Sequence, residues 1–489
     1  MPAIITNKFR IHNSEQFVES FSETASNAYY LGIGAPLSWG TYTRADLRTD
    51  ITGSDTSPIV PADSVTEELY TFDDLLAAKK ITASNVSYVI PRRNWTVGTI
   101  YDMYRNDYGN RITGTTTTLT STSGASNLFD STFYVLNSAY NVYKCLDNNN
   151  GIASTIEPTG TSTSILSTGD GYKWKFMYTL SASQQINFLS TDFMAVQTNS
   201  TVQSAAVDGA VNIIKIKNGG TGGTNGTYAG IPLRGDGSGG FCTVVISGTA
   251  VTGVTVTSAG TGYTFASVRN ADINTASSGF LTGAELDCII EPKGGHGFNA
   301  VKEFGGFFVM MNINLEGTES ANTGDFTTEN DFRKIVLLKD PESLGTVATS
   351  STLRTTKAIR IAASPTPGTF QVDEKISQAT TGAVGRVVEW DSVNRILHYV
   401  QTRFVDGGIN ASGNLVAFSG ANIITGATSG ATATPSASAS ETADSITFSN
   451  GYAASELDVD KGDVIYIENR APITRAADQT ENIKLIIEF

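Results

Sequence analysis

The chain has 489 residues, room for about three domains at roughly 150 residues each and ample apolar material for buried cores. Its 40% hydrophobic content excludes a disordered chain, and 16% charged residues with 48 glycines fit a Thr-, Ser- and Asn-surfaced β protein of the secreted or virion kind. A net charge of −14 excludes a general nucleic-acid partner, because an acidic surface repels phosphate, and the lack of an apolar run of about 18 residues excludes a membrane-spanning helix.

In chain order, the amino terminus lacks the basic, apolar and small-residue succession of a signal peptide. Asn13 or Ser14 is placed to cap a short helix over 15–24, with Phe17, Val18 and Phe21 on one face. A second helix is predicted over 64–80. Asp63 or Ser64 starts it, Leu69, Phe72, Leu75 and Leu76 recur at helical spacing, and Lys79-Lys80 suit its negative end. The acidic pair Asp73-Asp74 then falls on the solvated helix surface. Most of the remainder alternates short β-rich runs with Gly, Asn, Asp and Ser turns, so the class is mainly β with two or three peripheral helices.

Cys145 lies in the apolar run 142–146 and reads as a small core residue. With Cys242 and Cys288 it makes three scattered cysteines, which support neither a disulfide framework nor a zinc site and suit a reducing cytosol. Residues 211–216 lead into Asn218-Gly219-Gly220-Thr221-Gly222 and later Tyr228. Residues 251–256 lead into Ala259-Gly260-Thr261-Gly262-Tyr263. The spacing predicts two strands, each followed by the same glycine turn, with a tyrosine packed back over it. Residues 376–383 resemble 423–431 and predict two similar β-hairpins, and the Ser/Ala/Thr-rich stretch 432–442 reads as a flexible linker. Near the carboxyl end, Val464, Ile465, Tyr466 and Ile467 read as a strand covered on both faces, and Leu485, Ile486, Ile487 and Phe489 as a terminus tied into a sheet.

Candidate chemistry is sparse. His12, His296 and His398 have no partner at metal or triad spacing, and His296 in its glycine loop reads as a backbone-bonded histidine. Residues 235–240 hold one incomplete calcium-type turn, and calcium needs about six oxygen ligands. In Arg234-Gly235-Asp236 the aspartate reads as a turn closer, not an adhesion signal. No phosphate loop and no nucleophile elbow is present, so the expectation is a protein that is not an enzyme and takes no cofactor or metal.

Several blocks carry a resemblance when taken in order. They are Ile4-Ile5-Thr6-Asn7-Lys8-Phe9-Arg10, Val89-Ile90-Pro91-Arg92-Arg93-Asn94-Trp95, Val142-Tyr143-Lys144-Cys145-Leu146-Asp147 and Gly169-Asp170-Gly171-Tyr172-Lys173-Trp174. Phe332-Arg333-Lys334-Ile335-Val336 with Asp340-Pro341 follows, and then Tyr466, Glu468-Asn469-Arg470, Pro472 and Asp478-Gln479-Thr480-Glu481. Together they resemble the baseplate wedge subunit encoded by gene eight of T4-type contractile-tail phages. The resemblance covers residues 1–199, 290–345 and 446–489 and implies a layered β-sandwich frame. Residues 200–289 and 346–445 have no counterpart and read as two inserted β domains, each with an internal repeat.

By resemblance the chain is a structural subunit that holds the wedge proteins together, rearranges its contacts on tail contraction, forms a homodimer and resides in the virion after synthesis in the host cytoplasm. The alternative is a receptor- or glycan-binding tail adhesin. Candidate interface residues are Arg92, Arg93 and Trp95, which follow a strand-interrupting proline. They serve either as anchors for a partner or as internal core and bonding groups. Glu468, Asn469, Arg470 and Gln479 divide between a local turn network, the favoured reading, and a partner contact.

Overall fold

The computed structural model describes residues 4–23, 27–41, 53–108, 123–125, 127–318, 326–327, 329–403, 407–474 and 480–489. The protein is mainly β, as its turn-punctuated sequence predicts, and nearly all its strand pairs are antiparallel. Six α-helices occur among the described residues, more than the two or three expected, and five of them are of nine residues or fewer. The chain divides into two compact units. One comprises residues 1–16, 87–310 and 486–489, the other residues 17–86 and 311–485.

The first helix forms at Asn7–Glu19, earlier than the 15–24 expected. Ser14 is not its cap. Its hydroxyl is buried mid-helix and donates to the carbonyls of Ile11 (2.7 Å) and Gly306 (2.8 Å). In the first unit, a four-stranded sheet runs in the order Tyr134–Leu136, Asn141–Asp147, Lys173–Thr179, Leu166–Ser167. Every residue of 141–146 is buried, which explains the unbroken apolar run there. Trp174, Tyr134, Tyr143, Tyr172, Tyr178, Phe133 and Phe304 fill this core. At the far end of the chain the Phe489 amide donates to the Phe307 carbonyl (3.0 Å), and the Arg10 guanidinium sits 3.7 Å from the Phe307 ring centroid. The terminus is therefore tied down, as its apolar run predicts.

Residues 211–290 of the same unit carry a core of their own around Val211, Ile231, Cys242, Val244 and Ile273. Val211–Thr221 pairs with Thr282–Ile290, and Gly226–Pro232, Ser238–Ser247 and Ala250–Thr261 form a three-stranded sheet. The sequence repeat is a conformational repeat. Gly220 and Gly222 take φ of +70° and +77°, and Gly260 and Gly262 take +63° and +74°, a region open to glycine at no steric cost. Tyr263 packs over its turn and donates to the Leu233 carbonyl at 3.2 Å.

The second unit contains a five-stranded sheet in the order Thr352–Leu353, Leu75–Ile81, Tyr29–Gly34, Phe332–Lys339, Asp463–Ile473. The predicted helix over 64–80 is half right. Ser64 caps it, accepting from the Glu67 amide at 3.2 Å, but the helix is only Val65–Asp73 and the chain then becomes a strand. Leu75 to Ala78 are all buried against Tyr29–Gly34, so tertiary pairing overrides their helical spacing. A Cβ on Gly34 would lie 2.7 Å from the Asp74 carbonyl oxygen, so only glycine permits this crossing. The strand containing Val464–Ile467 is not covered on both faces. It is the sheet's last strand and only partly buried, with Ile465 exposed.

Residues 357–453 contain a seven-stranded sheet whose second and third strands carry the second sequence repeat. Lys375–Gln378 and Ile424–Gly426 pair antiparallel to each other, each followed by a glycine turn, with Gly382 and Gly430 both at positive φ. The first repeat braces the second. Glu374 accepts from the amides of Thr428 (3.0 Å) and Ser429 (2.9 Å). The stretch 432–442 is not a flexible linker. Thr432–Ala433 is a sheet strand, Pro435 bridges Ile361, and the Ser436 amide donates to the Arg360 carbonyl at 2.8 Å. Small Ser/Ala/Thr side chains here allow close pairing where composition alone suggested looseness.

Candidate interface residues and a polar cavity

Pro91 ends the strand Val86–Pro91, and the next residues lean on the four-stranded sheet of the first unit. The Trp95 amide donates to the Leu136 carbonyl (2.8 Å), the Leu136 amide to the Arg93 carbonyl (2.7 Å), and the Tyr134 hydroxyl to the Pro91 carbonyl (2.8 Å). Arg92 donates to the Ser190 carbonyl at 2.8 Å and to Asn94 at 3.0 Å. Arg93 bonds the carbonyls of Ser131, Phe129 and Asp130 and lies 4.6 Å from the Tyr134 ring centroid. The Trp95 indole packs on the core and donates to Ser154 at 3.1 Å. All three side chains thus have internal partners while staying partly open to solvent.

The second group belongs to the other unit, on the outer strand Asp463–Ile473. Glu468 accepts from the Tyr466 hydroxyl (3.1 Å) and pairs with Arg470 at 3.7 Å, with both side chains more than a third exposed. Asn469 donates to the Ile59 carbonyl at 2.9 Å, and the Arg470 carbonyl accepts from the Trp39 indole at 2.7 Å. Gln479 lies outside the described residues.

The other blocks singled out by the sequence turn out to be internal knots. Asp170 accepts from the amides of Thr155 (2.8 Å), Ile156 (3.1 Å) and Tyr172 (3.3 Å) and from the hydroxyls of Ser154 (3.1 Å) and Thr168 (2.5 Å). Burial opposes its charge, but these donors together hold its pKa below the usual carboxylate range. Asp73 and Asp74 are not on a solvated helix face. Both are buried where the helix gives way to the strand, Asp73 on Arg403 (2.6 Å) and Asp74 on Lys334 (3.2 Å). Burial raises both pKa values against these cations, that of Asp73 to about 7. Arg234 pairs with Asp272 at 2.7 Å, and Asp236 closes a turn on Thr264 and Phe265.

Sequence reasoning missed a buried charge cluster in the first unit. Lys144, fully buried, pairs with Glu303 and lies 3.0 Å from the His296 Nδ1, with the Tyr104 ring edge-on to the imidazole at 4.7 Å. Glu303 also accepts from the Gly297 amide at 2.7 Å. Its burial disfavours charge, yet Lys144 and His296 hold its pKa down to about 2. His296 is more than a backbone-bonded loop residue, although its amide does donate to Glu291 at 2.9 Å. The available signal was a lone lysine inside an apolar five-residue run.

Beside this cluster lies a cavity of about 480 Å³, bounded by Lys175, residues 205–207, Ala210, Asn212, Glu291 and His296 on one side and by Ser238, Gly239 and residues 258–261 of the inserted sheet on the other. Among the described residues no group of three or more His, Cys, Asp or Glu is spaced to hold a metal ion.

Residues 3–157 and 429–489 match a family model described as Bacteriophage T4, Gp8. The match points to the structural baseplate subunits of phage tails as the class of protein that this mainly β chain resembles. Over those two segments the chain is similar to the T4 gene-eight family. The matched segments include Arg92, Arg93, Trp95, Glu468, Asn469, Arg470 and Gln479. The blocks at 169–174 and 332–336 fall outside them. No curated protein matches the chain.

Proposed function

We propose that this chain holds the proteins of a baseplate wedge together and shifts its contacts when the tail contracts, working as a homodimer beside other wedge proteins in the virion. It would be made in the host cytoplasm. The observation that carries this reading is the coincidence of the family-matched segments with the partly open arginines Arg92, Arg93 and Arg470 and with Trp95, residue types that favour protein contacts. Switching needs two packings of similar energy, which partly exposed, internally satisfied anchors support. A homodimer would use one patch twice. Cross-linking of intact phage particles with mass spectrometry tests the reading. Links from residues 3–157 and 429–489 to a second copy and to other baseplate proteins are expected, and links confined to fibre proteins would overturn it.

A second reading, a glycan- or receptor-binding adhesin, is favoured by one contrast. Phe241, Phe265 and Phe280 of the first inserted region are exposed, whereas Phe370 and Phe418 of the second are buried.

A further inference from the structure

The cavity of the first unit has a lining that restricts what can occupy it. Its volume of about 480 Å³ lies within the range of small-molecule sites. Lys175 is 8% exposed as a residue, its ammonium donates to a single neutral acceptor among the described residues, the Thr163 carbonyl, and no carboxylate of the described residues pairs with it. An ammonium has three donor hydrogens, so two remain for a ligand. Glu291, on the same lining, accepts from the Asn212 side chain and the His296 amide, and each carboxylate oxygen keeps a lone pair. Small side chains, Ala205, Ala206, Ala210 and Ala259, supply apolar wall, and Ser238, Ser258 and Thr261 add hydroxyl groups.

The charges decide the ligand class. A cation would meet Lys175 and an anion would meet Glu291, while an apolar ligand would strand both charged groups without solvent. A hydroxyl donates to a carboxylate and accepts from an ammonium, and the carbon–hydrogen faces of a sugar ring suit an alanine wall. We infer that this cavity binds a neutral, polyhydroxylated ring, one residue of a glycan, held by Lys175 and Glu291 and closed by the glycine turns of the inserted sheet. This deepens the adhesin reading and is independent of the wedge role, because it is read on the isolated chain while the wedge role is read on particles.

The test is isothermal titration of the full chain with millimolar neutral hexoses, 6-deoxyhexoses, N-acetylhexosamines and their disaccharides, with inorganic phosphate and an acidic sugar as controls. At least one neutral sugar is expected to bind, with phosphate silent. Lys175→Met and Glu291→Gln should each weaken it at least about tenfold, the scale set by losing a charged hydrogen bond. Ala206→Phe fills the cavity without touching the polar groups and should abolish binding, with thermal unfolding checking that each variant is folded. Failure of every neutral sugar to bind the folded chain would overturn the inference. So would affinity that survives Glu291→Gln and Ala206→Phe, or binding of phosphate instead. Capture of a neighbouring polypeptide by a cross-linker at position 206 in intact particles would also sink it, because the cavity would then be a protein-docking socket.

Discussion

Lys144 illustrates how a single side chain is placed in this protein. Its ammonium has no exposure, and burial lowers its pKa while Glu303 and Glu291 raise it again, so the charged form survives only with its partners. Lys144→Met should therefore cost about 3–5 kcal/mol in chemical unfolding of the first unit, because it strands the Glu303 carboxylate. A cost under about 1 kcal/mol would mean that the pair is solvated. His296 adds a pH dependence. Burial, then Lys144, holds its pKa below the ordinary histidine value, with Glu291 and Glu303 opposing. The unfolded chain thus takes up a proton near pH 6.5 where the folded chain resists it. The His296 contribution to stability is full above about pH 6.5 and is lost as the pH drops below it, before Glu303 protonates. Unfolding followed from pH 8 to 5 should show the wild type losing stability relative to His296→Asn as the pH falls, and parallel curves would remove His296 as the source.

At the scale of elements, the turn at 168–172 is held by one carboxylate. Asp170 satisfies three amides from two chain segments, and Gly171 sits at a φ of +86° with Asn149 pressed against its α-carbon side. Asp170→Ala should lower stability by about 2–3 kcal/mol and Asp170→Asn by less, since the amide oxygen still accepts. Equal losses in the two variants would show that charge, not geometry, holds the turn. The outer strand Asp463–Ile473 is built differently, with a loosely paired, solvent-facing Glu468 and Arg470. Arg470→Ala should change thermal stability by less than about 1 kcal/mol, as exposed pairs do. If the strand is an interface, the same variant will be depleted from assembled baseplates. Normal incorporation would remove Arg470 from the candidate anchors.

For the whole molecule, the inserted sheet is mounted on a two-strand stalk. Ile216 faces Leu286 and Lys215 faces Asp287 across Val211–Thr221 and Thr282–Ile290, and Ile213 and Ile289 belong to the core below. Replacing residues 217–285 by Asn-Gly, a preferred two-residue hairpin turn, should leave a folded chain. Its melting temperature should fall a few degrees, because Ile214, Leu286 and Cys288 lose partners. The same deletion removes the Ser238–Gly239 and 258–261 wall of the cavity, so sugar binding should vanish while baseplate incorporation persists. An unfolded product would show that the insertion is integral to its unit.

The amino-acid sequence by itself determined what local chemistry can encode. Ser64 was legible as a cap, Asp236 as a turn closer, and Gly220, Gly222, Gly260 and Gly262 as a repeated turn, because each depends on neighbours a few residues away. The β class and the gene-eight likeness were equally legible, since alternation, turn residues and ordered short blocks are all linear signals. Tertiary structure alone decided that 75–81 is a strand, that 463–473 is an outer one, and that Asp73, Asp74 and Lys144 are buried with partners. Those partners, Arg403, Lys334 and Glu303, stand 330, 260 and 159 residues away. The cavity was invisible for the same reason: its walls come from five separate stretches, and a void belongs to the space between segments, which no local pattern of side chains records.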